Sequence, residues 1–225
     1  MVVTGAAGAL GRAVVTDFVA AGLNVVALDW TDVVLQAIDP ALGLLRLPAD
    51  LLDEADVRGV MRQAAELTGR LDALVCLAGG FFGDTAVADT GPSVVRQQFE
   101  LNVLTAYHCV HAALPYLLAA GGGAIVGVGS RPAVLPVPGA VAYAIAKLGV
   151  VKLMEQVATE YRDQGVRANV IIPSIIDTPA NRQAMPDADF GRWVRPGQIA
   201  AVLRFLVSDE ASVISGAAIP VYGRA

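Results

Sequence analysis

TGAAGALG, Thr4–Gly11, follows the short apolar run Met1–Val3 and leads into a helical pattern over Leu10–Ala21. Gly5, Gly8 and Gly11 let the chain turn tightly and bring its backbone close to a ligand. The free amides at a helix start carry partial positive charge, so a turn of this kind can hold a pyrophosphate. The plain alternative is a strand–helix connection that happens to be rich in glycine. The strand before the turn is short, with three residues ahead of Thr4, whereas central strands usually run about five or six. Either the strand is short or the sequence starts late.

Working outward, short apolar runs alternate with longer amphipathic ones. Strands are expected at Met1–Thr4, Asn24–Asp29, Gly43–Pro48, Leu71–Ala78, Ala124–Ser130, Val166–Pro173 and Ala217–Tyr222. Several are rich in Val and Ile without alternation, as in parallel strands covered on both faces. Helices are expected at Leu10–Ala21, Asp53–Thr68, Ser93–Leu118, Ala142–Asp163 and Pro196–Val207. The alternation implies an α/β protein with a doubly wound parallel sheet, one domain over residues 1–225. Its ligand belongs at the carboxyl ends of the strands.

Asp29 ends the second strand, 18 residues after Gly11. A carboxylate there accepts hydrogen bonds from an adenosine ribose and repels a 2′-phosphate. No basic residue occurs within Trp30–Ile38, so NAD(H) is expected over NADP(H). An exposed strand-end aspartate is the bland alternative. Tyr143 and Lys147, in YAIAK, are four residues apart and share one face of a helix. A tyrosine is a poor proton donor at neutral pH because its ordinary pKa is about 10, and a nearby ammonium lowers it. The pair alone is weak evidence, since Tyr and Lys at this spacing are common. Ser130 stands thirteen residues upstream, at the end of an expected strand.

Together these residues resemble the short-chain dehydrogenase/reductase superfamily across essentially the whole chain. The resemblance implies a Rossmann-like three-layer sandwich. It also implies hydride transfer between a nicotinamide and a small carbonyl or alcohol, with Tyr143 as general acid/base. Ser130, Tyr143, Lys147 and Asn102, the last in FELNV, correspond to its catalytic set, and Asn102 would hold a relay water. Cofactor contacts are implied for Gly5, Gly8, Leu10, Gly11 and Asp29, for Asp50 and Leu51 in PADLLD, and for Ala78 and Gly79. Tyr143 and Lys147 join them, with Pro173, Ile176 and Thr178 in PSIIDT near the nicotinamide. The chain departs from the pattern in three places. Gly8 and Ala9 place the second glycine one residue early, Leu77 stands where an asparagine is usual, and Ser174 replaces a frequent glycine. LDALVCLAGGFFG and DTPANRQAMPDADFGRW resemble the dihydropteridine reductase branch, which implies a quinonoid pterin substrate as the alternative. That branch lacks the serine that Ser130 supplies here. Phe81 and Phe82 would either stack on a flat substrate or floor the cleft. A dinucleotide-sensing protein without turnover is the alternative of another class.

The remaining features narrow the field. Residues 177–195 read as a substrate loop. His108 and His111 lack a third ligand, so no metal is expected. The net charge of −5 argues against nucleic acid as a partner. Ala112–Gly129 is nearly long enough to span a bilayer, but Pro115 and its glycines break it, so no membrane segment is expected. Cys76 and Cys109 lie in apolar stretches and read as buried thiols of a reducing compartment, the cytoplasm, and no signal peptide is evident. With 55% hydrophobic and 16% charged residues, extensive burial is expected, including a homo-oligomeric contact as a tetramer or dimer.

Overall fold

The computed structural model describes residues 1–83 and 85–225. Seven strands form one parallel sheet: β1 (Val2–Thr4), β2 (Val25–Asp29), β3 (Leu44–Pro48), β4 (Ala73–Cys76), β5 (Gly123–Val128), β6 (Val166–Pro173) and β7 (Ala218–Val221). Their order is β3-β2-β1-β4-β5-β6-β7. The order reverses between β1 and β4, where an open α/β sheet leaves a crevice at its carboxyl edge. β1 is three residues long, yet it is buried throughout and paired on both sides. Its burial compensates for its length.

Helices cover both faces. On one side lie α3 (Glu54–Thr68), α5 (Thr105–Ala119) and α6 (Val141–Glu160), which close one half of the core around Met61, Leu117 and Met154. On the other lie α1 (Ala9–Ala20) and α8 (Pro196–Val207), which pack together over Phe18, Leu203 and Leu206. Strands buried on both faces explain why the sequence reads as unbroken apolar runs rather than alternating ones.

Three expectations need correction. The single helix expected over Ser93–Leu118 is α4 (Pro92–Phe99), a π-helical segment (Glu100–Leu104) and α5. Within this run, the Asn102 amide donates to Gln98 O at 3.0 Å and the Thr105 hydroxyl to Leu101 O at 2.7 Å. Such side-chain bonds to the preceding turn's carbonyls compete with the helical ladder and accompany its widening. β4 is shorter than expected because the Thr4 hydroxyl accepts the amides of Leu77 and Ala78, each at 3.2 Å, and draws both out of the strand. The third correction concerns residues 177–195, which are more than a loop. They contain α7 (Pro179–Ala184) and a 3₁₀ turn (Phe190–Arg192), and Ile176 bridges Val194. Arg182 holds Asp177 bidentately at 2.6 and 2.9 Å and lies 4.7 Å over the Phe190 ring. A short helix, α2 (Asp32–Leu35), also appears after β2, capped by the Thr31 hydroxyl. No described helix is long and apolar enough to cross a membrane.

Candidate active site

Two cavities open along the carboxyl edge of the sheet, of about 580 and 610 Å³. The first lies over the crevice between β1 and β4. Gly5 adopts φ +62°, and a Cβ there would stand 2.7 Å from Ala78 N. A Cβ on Gly11 would stand 2.2 Å from Gly5 O. Both positions therefore exclude any side chain, which lets the backbone approach a ligand. Gly8 caps α1 without a side-chain bond, so the first amides of that helix have no capping side chain.

Asp29 sits at this cavity's edge. Its carboxylate accepts the amides of Ala7 and Trp30, each at 2.8 Å. Asp50 lies beside it, accepting Leu52 N at 2.9 Å while its own amide donates to Asp56. Leu10, Leu51, Ala78, Gly79 and Thr178 complete the lining, and Leu51 O meets the His108 ring at 2.9 Å. The fit to the adenosine half of a dinucleotide is good: a glycine cradle closed to side chains, open helix amides and a ribose-height carboxylate. Pro173 and Ile176, expected near the nicotinamide, line the second cavity.

Tyr143 and Ser130 line that second cavity, with Lys147 beneath them. β5 delivers Ser130 just past its end, and the first turns of α6 deliver Tyr143 and Lys147. Ser130 stands beside Tyr143 on the wall of this cavity. The Lys147 ammonium donates to Val128 O at 3.0 Å and lies 5.8 Å from the Tyr143 ring centre. Burial dominates the titration of both. It raises the Tyr143 phenol above its ordinary value, and the neighbouring Ser130 hydroxyl offsets only part of the rise. It lowers the Lys147 ammonium to about 8. Burial therefore works against the lowering of Tyr143 expected from Lys147. Cys76, beneath Lys147, is pushed up to about 12 by burial and stays a neutral thiol.

Asn102 is buried in the π segment. Its Oδ1 accepts Gly80 N at 3.1 Å, and its Nδ2 reaches Gly80 O at 3.0 Å and Gln98 Oε1 at 2.7 Å. The side chain is engaged by protein on both ends, and one lone pair of Oδ1 is left over. A Cβ on Gly79 would stand 2.5 Å from Asn102 Oδ1 and 3.1 Å from Lys147 Nζ. Glycine there lets Lys147, Asn102 and the turn after β4 meet.

Three residues here escaped the sequence. Gln98 is fully buried and donates to Phe82 O at 2.9 Å. Its signal was a polar side chain one turn before Asn102. Arg12 reaches back to Ala7 O at 2.6 Å, placing a cation at the glycine turn that a search downstream of Asp29 could not find. Arg131 follows Ser130 and lines the second cavity. The aromatic pair divides: the Phe81 ring meets Tyr143 edge-on at 5.1 Å in the second cavity, while Phe82 is half-buried beside Gln98. His111 stacks on Tyr107, and no metal-holding cluster occurs among the described residues.

A family model described as enoyl-(acyl carrier protein) reductase matches residues 5–223. The chain belongs to the short-chain dehydrogenase/reductase superfamily. It is an oxidoreductase of that superfamily, whose members use a nicotinamide cofactor. Meso-2,3-butanediol dehydrogenase of Serratia marcescens is 34% identical, covering 100% of this chain and 93% of its own. 2-(R)-hydroxypropyl-CoM dehydrogenase of Xanthobacter autotrophicus is 31% identical, over 99% and 96% of the two chains. A short-chain dehydrogenase/reductase of Mycobacterium ulcerans superposes with a TM-score of 0.93 at 26% identity, over 99% of this chain and 87% of that one.

Proposed function

We propose that the protein carries out reversible hydride transfer between NAD(H) and a small carbonyl or alcohol, with Tyr143 as general acid/base. One observation carries this reading: Ser130 and Tyr143 face the second cavity side by side, while Gly79, on the wall of the first, lies against Lys147. A bound nicotinamide supplies or takes the hydride at its C4. In reduction, the Tyr143 hydroxyl donates its proton to the substrate's carbonyl oxygen. The Ser130 hydroxyl donates a hydrogen bond to the same oxygen and steadies the charge that develops there. Lys147 holds the ribose on the nicotinamide side, and its ammonium favours the Tyr143 phenolate left after transfer. Asn102 positions the Gly79–Gly80 turn. The place of Ser130 beside Tyr143 in the second cavity supports the carbonyl reading over the pterin one, because it gives the serine a working place.

NAD(H) is favoured over NADP(H) because the Asp29 carboxylate borders the adenosine cavity, Trp30 follows it, and the nearby Arg12 is engaged on Ala7 O. The exposed Tyr107, Ile145 and Leu148 on α5 and α6 support a homo-oligomer contact on that face. Sedimentation at micromolar concentration tests the contact, and a monomer at every concentration refutes it. The catalytic reading is tested with NADH and a panel of ketones and aldehydes. Steady oxidation that requires the carbonyl compound supports it. Tight NADH binding with no turnover on any member would make the protein a sensor.

A further inference from the structure

The second cavity is apolar around its chemistry. Phe81, Val128, Val137, Ile175, Ile176 and Met185 form most of its wall. Among the described residues, its lining holds one charged side chain, Arg131, and no carboxylate. The protein as a whole is acidic, at −5, so a lone cation in the substrate cavity runs against the average surface. Arg131 makes no hydrogen bond or ion pair through its guanidinium among the described residues. Instead the guanidinium lies over the Tyr222 ring at 5.7 Å. Its backbone is fixed: Arg131 opens a 3₁₀ turn whose carbonyl accepts Val134 N at 3.0 Å and Leu135 N at 2.9 Å. Stacking on an aromatic face steadies a guanidinium plane and leaves its N–H edge available, the geometry that grips a carboxylate with two parallel hydrogen bonds.

We propose that Arg131 is a specificity-determining residue that binds a carboxylate on the substrate, so that the preferred substrates are oxo or hydroxy acids rather than neutral ketones or alcohols. The inference rests on the hydride-transfer reading above. Ser130 and Arg131 are consecutive, so the reacting oxygen and the carboxylate are held from one rigid turn at the mouth of β5. The apolar wall takes the carbon skeleton between them.

The test uses acetoacetate, levulinate and 5-oxohexanoate, each beside its methyl ester, with NADH and the intact protein. At least one acid should show a kcat/KM roughly ten- to a hundredfold above its ester, the range a charge-assisted hydrogen bond supplies. Arg131→Met should erase that preference mainly through KM, leave the ester's kcat/KM within about threefold, and leave NADH binding unchanged. Arg131→Lys should restore part of it. A structural role alone would lower the melting temperature of Arg131→Met without changing the acid-to-ester ratio. Esters used as well as acids by the wild type, or a preference that survives Arg131→Met, overturns the proposal while leaving hydride transfer standing. If no member is turned over, calorimetric titration of the same acids and esters into the NADH-loaded protein decides. Acid binding that is lost in Arg131→Met supports the proposal, and equal or absent binding of acids and esters rejects it. Turnover of neutral ketones would then still be the separate measure of the parent reading.

Discussion

The two cavities at the carboxyl edge are nearly equal in volume, about 580 and 610 Å³, and are built in opposite ways. The first is made mostly of backbone and strand ends: a glycine turn after β1, Asp29 after β2, Ala78–Gly79 after β4. The second is made of side chains from four separated stretches, Phe81, Val128–Ala140 with Tyr143, Pro173–Ile176 and Asn181–Met185. A backbone cradle tolerates few substitutions because a Cβ has nowhere to go. A side-chain wall can be exchanged residue by residue without disturbing the fold. On the proposed function, one cavity would set the cofactor and the other the substrate, with Tyr143 and Lys147 between them.

The largest expected effect falls on that junction. Tyr143→Phe keeps the ring against Phe81 and removes only the proton donor, so turnover should fall by about a hundred- to ten-thousandfold. NADH binding, followed by its fluorescence, should stay within about twofold. Near-normal turnover on every active substrate would place the proton donor elsewhere.

The next variant breaks the backbone cavity alone. Gly11→Ala forces a Cβ against Gly5 O, where it would stand 2.2 Å away. Overpacking of this kind costs about 1–3 kcal/mol of stability. NADH affinity should fall at least about tenfold, equivalent to about 1.4 kcal/mol. Chemical denaturation and an NADH titration read the two effects separately. A variant with full affinity would show that the turn adapts more than its geometry allows.

Asp29→Ala sharpens the comparison at the edge of the first cavity, where it also removes the acceptor of the Ala7 and Trp30 amides. Two like charges at about 4 Å repel by about 1 kcal/mol in water and about 4 near a protein surface. Removing the carboxylate should narrow the NADH-over-NADPH ratio of kcat/KM by about tenfold. An unchanged ratio, or a wild type that prefers NADPH, would shift the discrimination to Arg12 at the same turn.

The smallest effect is a pH dependence at the junction. Burial lowers Lys147 from 10.5 to about 8, so its ammonium is lost as pH rises through about 8. NADH binding to the free protein should weaken about two- to fivefold between pH 7 and 9 as a charge-assisted bond becomes an ordinary one. Lys147→Met should flatten that profile. Stability moves the other way. Between about pH 8 and 10.5 the unfolded chain holds a proton that folded Lys147 has released, so Lys147 makes stability rise with pH across that window. A wild-type binding profile flat to pH 9.5 would mean that Lys147 keeps its charge despite its burial.

The sequence by itself determined the sheet, its parallel character and the first cavity, because these depend on short-range rules. Glycines at Gly5 and Gly11 answer a local steric demand, Asp29 ends a strand, and short apolar runs without alternation, set between amphipathic ones, read as covered strands. The Tyr143–Lys147 pair was legible for the same reason, since helical spacing puts the two on one face. Tertiary structure alone decided what depends on residues far apart in the chain. It turned the expected helix over Ser93–Leu118 into a π-bulged run, because the packed Asn102 has to meet Gly80 as well as Gln98. It shortened β4 through Thr4, more than seventy residues away in sequence. It set the titration of Tyr143 and Lys147 by burial, which spacing does not encode. It also brought Arg131 onto Tyr222 and into the substrate cavity, since a cation beside a serine has no evident role until the fold shows what it faces.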